Sequence, residues 1–141
     1  RFSPKMPSNE SEDKTECMKF TSQILENGNV RQIFIGLSER MPNSYVESII
    51  NLTEFQNGVG KFLAETRPDG KPKLPIYPVR TTIIDTDYSN YSVEYKCIYF
   101  GKDVKCVYLI LNRKPYVLDP NVETILNKLE LKLQDFTLLK K

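Results

Sequence analysis

Between Cys17 and Arg113 apolar and polar residues alternate with period two, the spacing of strands that turn one face to a core. The runs CMKFTSQIL (17–25) and VRQIFIGLSER (30–40) flank Asn27-Gly28, the strongest short hairpin signal. SYVESIINLTEF (44–55) and VGKFLAET (59–66) flank Asn57-Gly58 in the same way. The stretch RPDGKPKLPIYP (67–78) holds four prolines and a glycine and reads as a loop. VRTTIIDTD (79–87), YSVEYKCIYF (91–100) and DVKCVYLILNR (103–113) follow, the last two joined at Gly101-Lys102, where a first-position glycine suits a type II′ turn.

The period changes only after these seven β segments. Over 119–133, Val122, Ile125, Leu126, Leu129 and Leu133 fall at helical spacing, with Asp119 as cap, Pro120 at the first position and Glu123 in the first turn. DFTLL (135–139) has room for one last short strand. Strands in succession followed by a single amphipathic helix predict an all-β chain: an antiparallel up-and-down barrel with one C-terminal helix packed outside. A β-sandwich is the alternative, disfavoured because there are no long crossovers.

Composition narrows the function. The chain is 141 residues long, enough for one domain over 1–141 and one core. A net charge of +2 without a basic stripe does not point to nucleic acid, and Lys71-Pro72-Lys73 reads as solvated loop. No apolar run approaches the length of a membrane span. The absence of histidine removes Ser-His and Cys-His catalysis, His-ligated zinc and His-ligated haem together. No nucleophile or acid–base constellation is visible, so no enzyme activity and no metal site are expected. Residues 1–16 are polar and acidic, unlike a signal peptide, which suits a mature product. Sequons at Asn9, Asn51 and Asn90 lean toward a secreted, extracellular protein and are candidate glycosylation sites.

Counting outward from Gly101-Lys102 sets Phe100 opposite Asp103, Tyr99 opposite Val104, Ile98 opposite Lys105 and Cys97 opposite Cys106. Directly opposed cysteines in such a hairpin come within disulfide distance. That pairing would leave Cys17 over.

Three stretches carry a family resemblance. TDYSNYSVEYKC (86–97) resembles the second conserved region of lipocalins, a Thr-Asp-Tyr turn at the closed end of the barrel, and YLILNR (108–113) resembles the third. NRKPYVLDPNVETILNKL (112–129) is similar to the segment leading into the post-barrel helix of apolipoprotein D and insect bilin-binding proteins. The resemblance is most specific over 86–133. It departs at the start, because the Gly-x-Trp first strand is not found and the chain has no tryptophan. By resemblance 1–16 is the open-end loop, 17–113 holds the barrel strands, and the first strand is missing from this chain or supplied by another segment, such as a companion peptide. Two long strand edges would otherwise stay unpaired.

The family also implies other disulfides, Cys97 and Cys17 bonding cysteines beyond this sequence, so two schemes stand open. It implies that Cys97 and Cys106 face outward. Ser92, Glu94, Lys96 and Ile98, with Lys105, Val107 and Leu109, would then line the cavity, and on other strands Phe34 or its neighbours, Ile50, Phe55 and Phe62 are wall or core residues. Arg113 would close the barrel bottom against an aromatic ring.

The function the resemblance implies is binding and transport of a small hydrophobic molecule. A bilin such as biliverdin is one specific expectation, with Lys96 and Lys105 meeting a ligand carboxylate and Glu94 neutralising Lys96. The alternative is a lipocalin-fold interaction protein that binds another protein through its open-end loops, above all 67–78.

Overall fold

The computed structural model describes residues 2–4, 15–38, 45–55, 60–68, 76–114 and 117–138. Its strands are β1 (Phe2–Pro4), β2 (Thr15–Ile24), β3 (Val30–Ser38), β4 (Tyr45–Ile50), β5 (Lys61–Pro68), β6 (Tyr77–Thr86), β7 (Tyr91–Phe100), β8 (Asp103–Asn112) and β9 (Phe136–Leu138). One α-helix, α1 (Pro120–Lys128), and two 3-10 turns, Leu52–Phe55 and Leu133–Asp135, complete the described elements. The strands form one antiparallel sheet in the order β2-β3-β4-β5-β6-β7-β8-β1-β9. From β2 to β8 every neighbour in space is a neighbour in sequence, the up-and-down path that the period-two runs predict.

These seven strands curl into a half-barrel with a lipocalin fold. The curl is visible in a contact across it: the Lys96 ammonium on β7 lies 5.0 Å from the centre of the Phe34 ring on β3, although three strands separate them in the sheet.

The turns follow their chemistry. Ile24 pairs with Val30, and Leu25 donates its N–H to Asn29 O at 2.8 Å, so Glu26, Asn27 and Gly28 form a three-residue loop that closes on Gly28 at φ +82°. Gly101 has φ +63° while Lys102 stays at negative φ, which is the expected type II′ geometry. The register runs from Phe100↔Asp103 to Cys97↔Cys106 and on to Tyr91↔Asn112, as counted from the sequence.

At the closed end, Asp87 Oδ1 accepts the backbone N–H groups of Ser89, Asn90 and Tyr91 at 3.0, 2.7 and 3.1 Å. Asn90 Nδ2 donates to Asp87 Oδ2, and Tyr88 takes the left-handed conformation at φ +64°. The Thr86 hydroxyl donates to Tyr91 O at 2.7 Å. Four donors on one carboxylate make this turn rigid.

Several elements depart from the sequence reading. Phe2–Pro4 form a strand rather than part of an open-end loop, pairing with β9 and, at Phe2↔Ile110, with β8. LTEF (52–55) is a 3-10 turn rather than strand: Glu54 N–H donates to Asn51 O, and the Glu54 carboxylate accepts the Leu63 N–H at 3.0 Å. Asn57-Gly58 lies outside the described residues. Arg67–Pro68 and Tyr77–Pro78 are strand, since a proline is tolerated where a strand begins or ends.

Helix α1 is shorter than 119–133. Asp119 caps it, accepting the Asn121 N–H at 2.9 Å, and Pro120 is its first residue. Glu130 at φ +58° stops it: Glu130 N–H reaches Asn127 O and Leu131 N–H reaches Leu126 O, a Schellman ending without glycine.

The helix packs on the outside of the sheet. Val122, Ile125 and Leu126 meet Tyr91, Val93, Ile110 and Phe136 in one buried hydrophobic cluster. A buried leucine in such a cluster is worth about 2–5 kcal/mol when cut back to alanine. A second cluster, Ile50, Phe62 and Ala64 with Val30 and Ile83, lies toward the closed end of the inner face.

Candidate functional site

Alternation assigns each strand an inner and an outer set. On β7 the outer residues Tyr91 and Val93 pack under α1, so Ser92, Glu94, Lys96 and Ile98 face inward, as the sequence reading expects. Register carries the inner face around the sheet: Lys96 pairs with Thr81, Thr81 with Phe62, Ala64 with Ile50, and Ser48 with Thr66. On β2 and β3 it carries Phe20 and Phe34, paired directly.

The buried polar side chains of the described residues are Ser48, Thr66, Thr81, Glu94 and Lys96, and all five belong to this inner face. The cluster beneath the helix, by contrast, is hydrophobic, with the Tyr91 hydroxyl as the one polar side-chain group among its buried members. A barrel that needed only a packed interior would place apolar residues in both positions. Polar groups gathered on a concave apolar wall are what a small-molecule site requires.

Their geometry is specific. The Lys96 ammonium lies 3.2 Å from Glu94 Oε2, each side chain only 8% exposed. Ser92 donates its hydroxyl to Glu94 Oε1 at 3.2 Å. Glu94 Oε2 has the ion pair but no directed hydrogen bond among the described residues, so its acceptor capacity is not used up. The Thr81 hydroxyl, on the strand next to Lys96, is buried and without a hydrogen-bond partner among the described residues. The Ser48 and Thr66 hydroxyls satisfy each other at 2.6 Å.

Opposite Glu94 and Lys96 stand two aromatic rings. Phe20 and Phe34 lie 4.7 Å apart between centroids, and the ammonium sits 5.9 and 5.0 Å from them, within cation–π reach of both. Nearer the open end, Tyr77 and Phe100 make a second ring pair at 5.0 Å.

The expected cavity residues divide accordingly. Glu94, Lys96 and Leu109 are buried on the inner face, Ile98 and Val107 are half-buried there, and Lys105 opposite Ile98 is exposed. Phe62 is inner but belongs to the apolar cluster with Ile50 and Ala64. Phe20, Thr81, Ser48 and Thr66 were not singled out in the sequence reading; alternation carried to register would have found them.

Cys97 and Cys106 form a disulfide with Cα atoms 4.1 Å apart on the outer face, which decides between the two schemes for Cys97. The Cys17 side chain lies outside the described residues, as do Asn9 and residues 69–75 of the Pro-rich loop. Asn51 and Asn90 are exposed. Arg113 is a correction: it is exposed, its N–H donates to Asn90 O at 2.8 Å, and its Nε lies 3.4 Å from Ser89 O, so it ties down the closed-end turn by hydrogen bonds to backbone. An open depression at the β2–β3 turn, lined by Gln23, Ile24, Leu25, Glu26 and Asn27, shares no residue with this constellation.

A family model described as Nitrophorin matches residues 4–141. Triafestin-1 of Triatoma infestans is 32% identical over 103 residues, 70% of this chain and 45% of that protein. The chain thus spans less than half the length of the curated relatives it matches. Among solved structures, the tryptamine complex of the amine binding protein of Rhodnius prolixus superposes with a TM-score of 0.81 at 27% identity, over 98% of this chain and 73% of that one. Apocrustacyanin C2 shares the fold, with a TM-score of 0.65 at 14% identity over 99% of this chain and 73% of that one.

Proposed function

The chain belongs to the nitrophorin family, and on that premise we propose that it is a secreted carrier that holds a small organic amine inside the barrel. The observation that carries the reading is the set around the Lys96 ammonium: the Glu94 carboxylate on one side and the faces of Phe20 and Phe34 on the other. A carboxylate and aromatic faces recognise an organic ammonium and disfavour an anion. Phe20, Phe34, Tyr77 and Phe100 give apolar surface for the body of an aromatic amine, and the Thr81 hydroxyl supplies a further polar contact. The similarity to an amine binding protein supports the same ligand class.

A bilin or a fatty acid has less in its favour. Its carboxylates would need Lys96 and Lys105, but Lys96 is engaged by Glu94 and the rings, and Lys105 is exposed. A haem is not part of the reading either, because the chain offers no histidine, the usual proximal ligand. Nor is a companion peptide part of it: the short strand Phe2–Pro4 already lies against β8.

Titration with tryptamine tests the reading. Saturable binding of about one molecule per chain, with Kd below about 100 μM, is the expected result. No binding up to about 1 mM sinks it.

A further inference from the structure

We infer that Lys96 is a tethered competitor for the ligand's ammonium, an inhibitory contact built into the barrel wall; the inference rests on the amine reading above. Lys96 Nζ already stands where a bound ammonium would stand, 3.2 Å from Glu94 Oε2 and over both Phe rings. Two cations sharing one carboxylate in a buried site repel each other strongly, because the interior screens charge far less than water does. An incoming ammonium therefore has to displace Lys96 from Glu94. The four-carbon stem of lysine allows this, swinging the charge toward the open end while its methylenes stay on the wall beside Ile98.

The competitor sets a threshold. A bare ammonium gains nothing over Lys96, since it replaces one cation by another on the same partners. An arylalkylamine adds burial of its ring against the apolar wall and so wins the exchange. The apparent affinity is reduced by the fraction of molecules in which Lys96 has moved aside, so removing the competitor restores the intrinsic value. Lys96 would thus tune selectivity for amines with a large apolar body, without touching that body.

The test compares tryptamine with 3-methylindole, which has the ring but no ammonium, on the wild type, Lys96→Met and Lys96→Gln. The chain has no tryptophan, so the indole emission of either probe reports its own binding. Circular dichroism checks folding, and Lys96→Gln serves as a second variant because its amide can still donate to Glu94. Tryptamine should tighten about tenfold or more in the folded variants, while 3-methylindole stays within about twofold of its wild-type affinity. If tryptamine binds the wild type and its affinity is unchanged or weaker in the variants, Lys96 does not compete. Equal tightening of both probes also overturns the inference, since Lys96 would then only fill space. Tryptamine binding to none of the three proteins removes the amine reading itself, and the competitor with it.

Discussion

Glu94 and Lys96, two residues apart on one strand, form an ion pair at 3.2 Å inside the barrel, where each side chain keeps only 8% of its exposure. The desolvation of such a pair roughly cancels its attraction, so its presence is not explained by stability. Breaking it is another matter. Glu94→Gln leaves a buried ammonium without its counter-charge and should lower the unfolding free energy by about 3–5 kcal/mol. Glu94→Leu/Lys96→Met, which removes both charges, should be close to neutral or more stable. Urea unfolding of Glu94→Leu, Lys96→Met and the double variant checks this. A double variant as unstable as the singles combined would mean that the pair is structural.

Cys97 and Cys106 lie nine residues apart and close only the hairpin. Closing a loop of that size stabilises by at most about 2.5 kcal/mol through the unfolded chain. Reduction, or Cys97→Ser/Cys106→Ser, should therefore shift the urea midpoint downward by an amount within that limit and leave tryptamine binding intact, because the bond sits on the outer face. Non-reducing peptide mapping should recover the Cys97–Cys106 linked fragment. A fragment joining Cys97 to Cys17 would contradict the register.

Asp87 is held well below the usual carboxylate range by the hydrogen bonds it accepts, first from the Asn90 N–H, then from the Tyr91 N–H, the Asn90 side chain and the Ser89 N–H, against an opposing effect of burial. A folded pKa below the unfolded one gives stability that is fully present above the unfolded value of about 3.9 and is lost as pH falls toward the folded one. Wild type should consequently lose stability between about pH 5 and pH 2, with a contribution that Asp87→Ala lacks. Acid unfolding followed by circular dichroism reads the difference. Identical acid profiles would show that the turn does not depend on the charge.

The barrel was legible because its signals are local and consistent. Alternation gave the strands, Gly101-Lys102 set the hairpin register down to Cys97 opposite Cys106, and Asp119-Pro120 marked the start of the helix. The end of the helix was not legible. Leu129 and Leu133 keep the apolar spacing, yet Glu130 takes a left-handed conformation that sequence assigns to glycine. Phe2–Pro4 is too short a strand to show any period.

The site was half legible for a related reason. Period two tells which side chains share a face, and so placed Glu94 and Lys96 together. It does not tell which strand a curled sheet brings opposite, so the approach of Phe20 and Phe34 to Lys96 had no sequence signal. Lys105 shares the inner face with Lys96 by parity, but its place near the Gly101-Lys102 turn leaves it in solvent. That difference turns a pair of lysines suited to a carboxylate ligand into one buried lysine paired with a glutamate.

The affinity of tryptamine for the wild type and for Glu94→Leu/Lys96→Met, both shown to be folded, asks most directly whether the barrel holds an amine through Glu94. Saturable binding to the wild type and a loss of at least about tenfold in the double variant are expected, since the carboxylate that receives the ammonium is gone. Equal affinity for the two proteins, or no binding to the wild type, would contradict it.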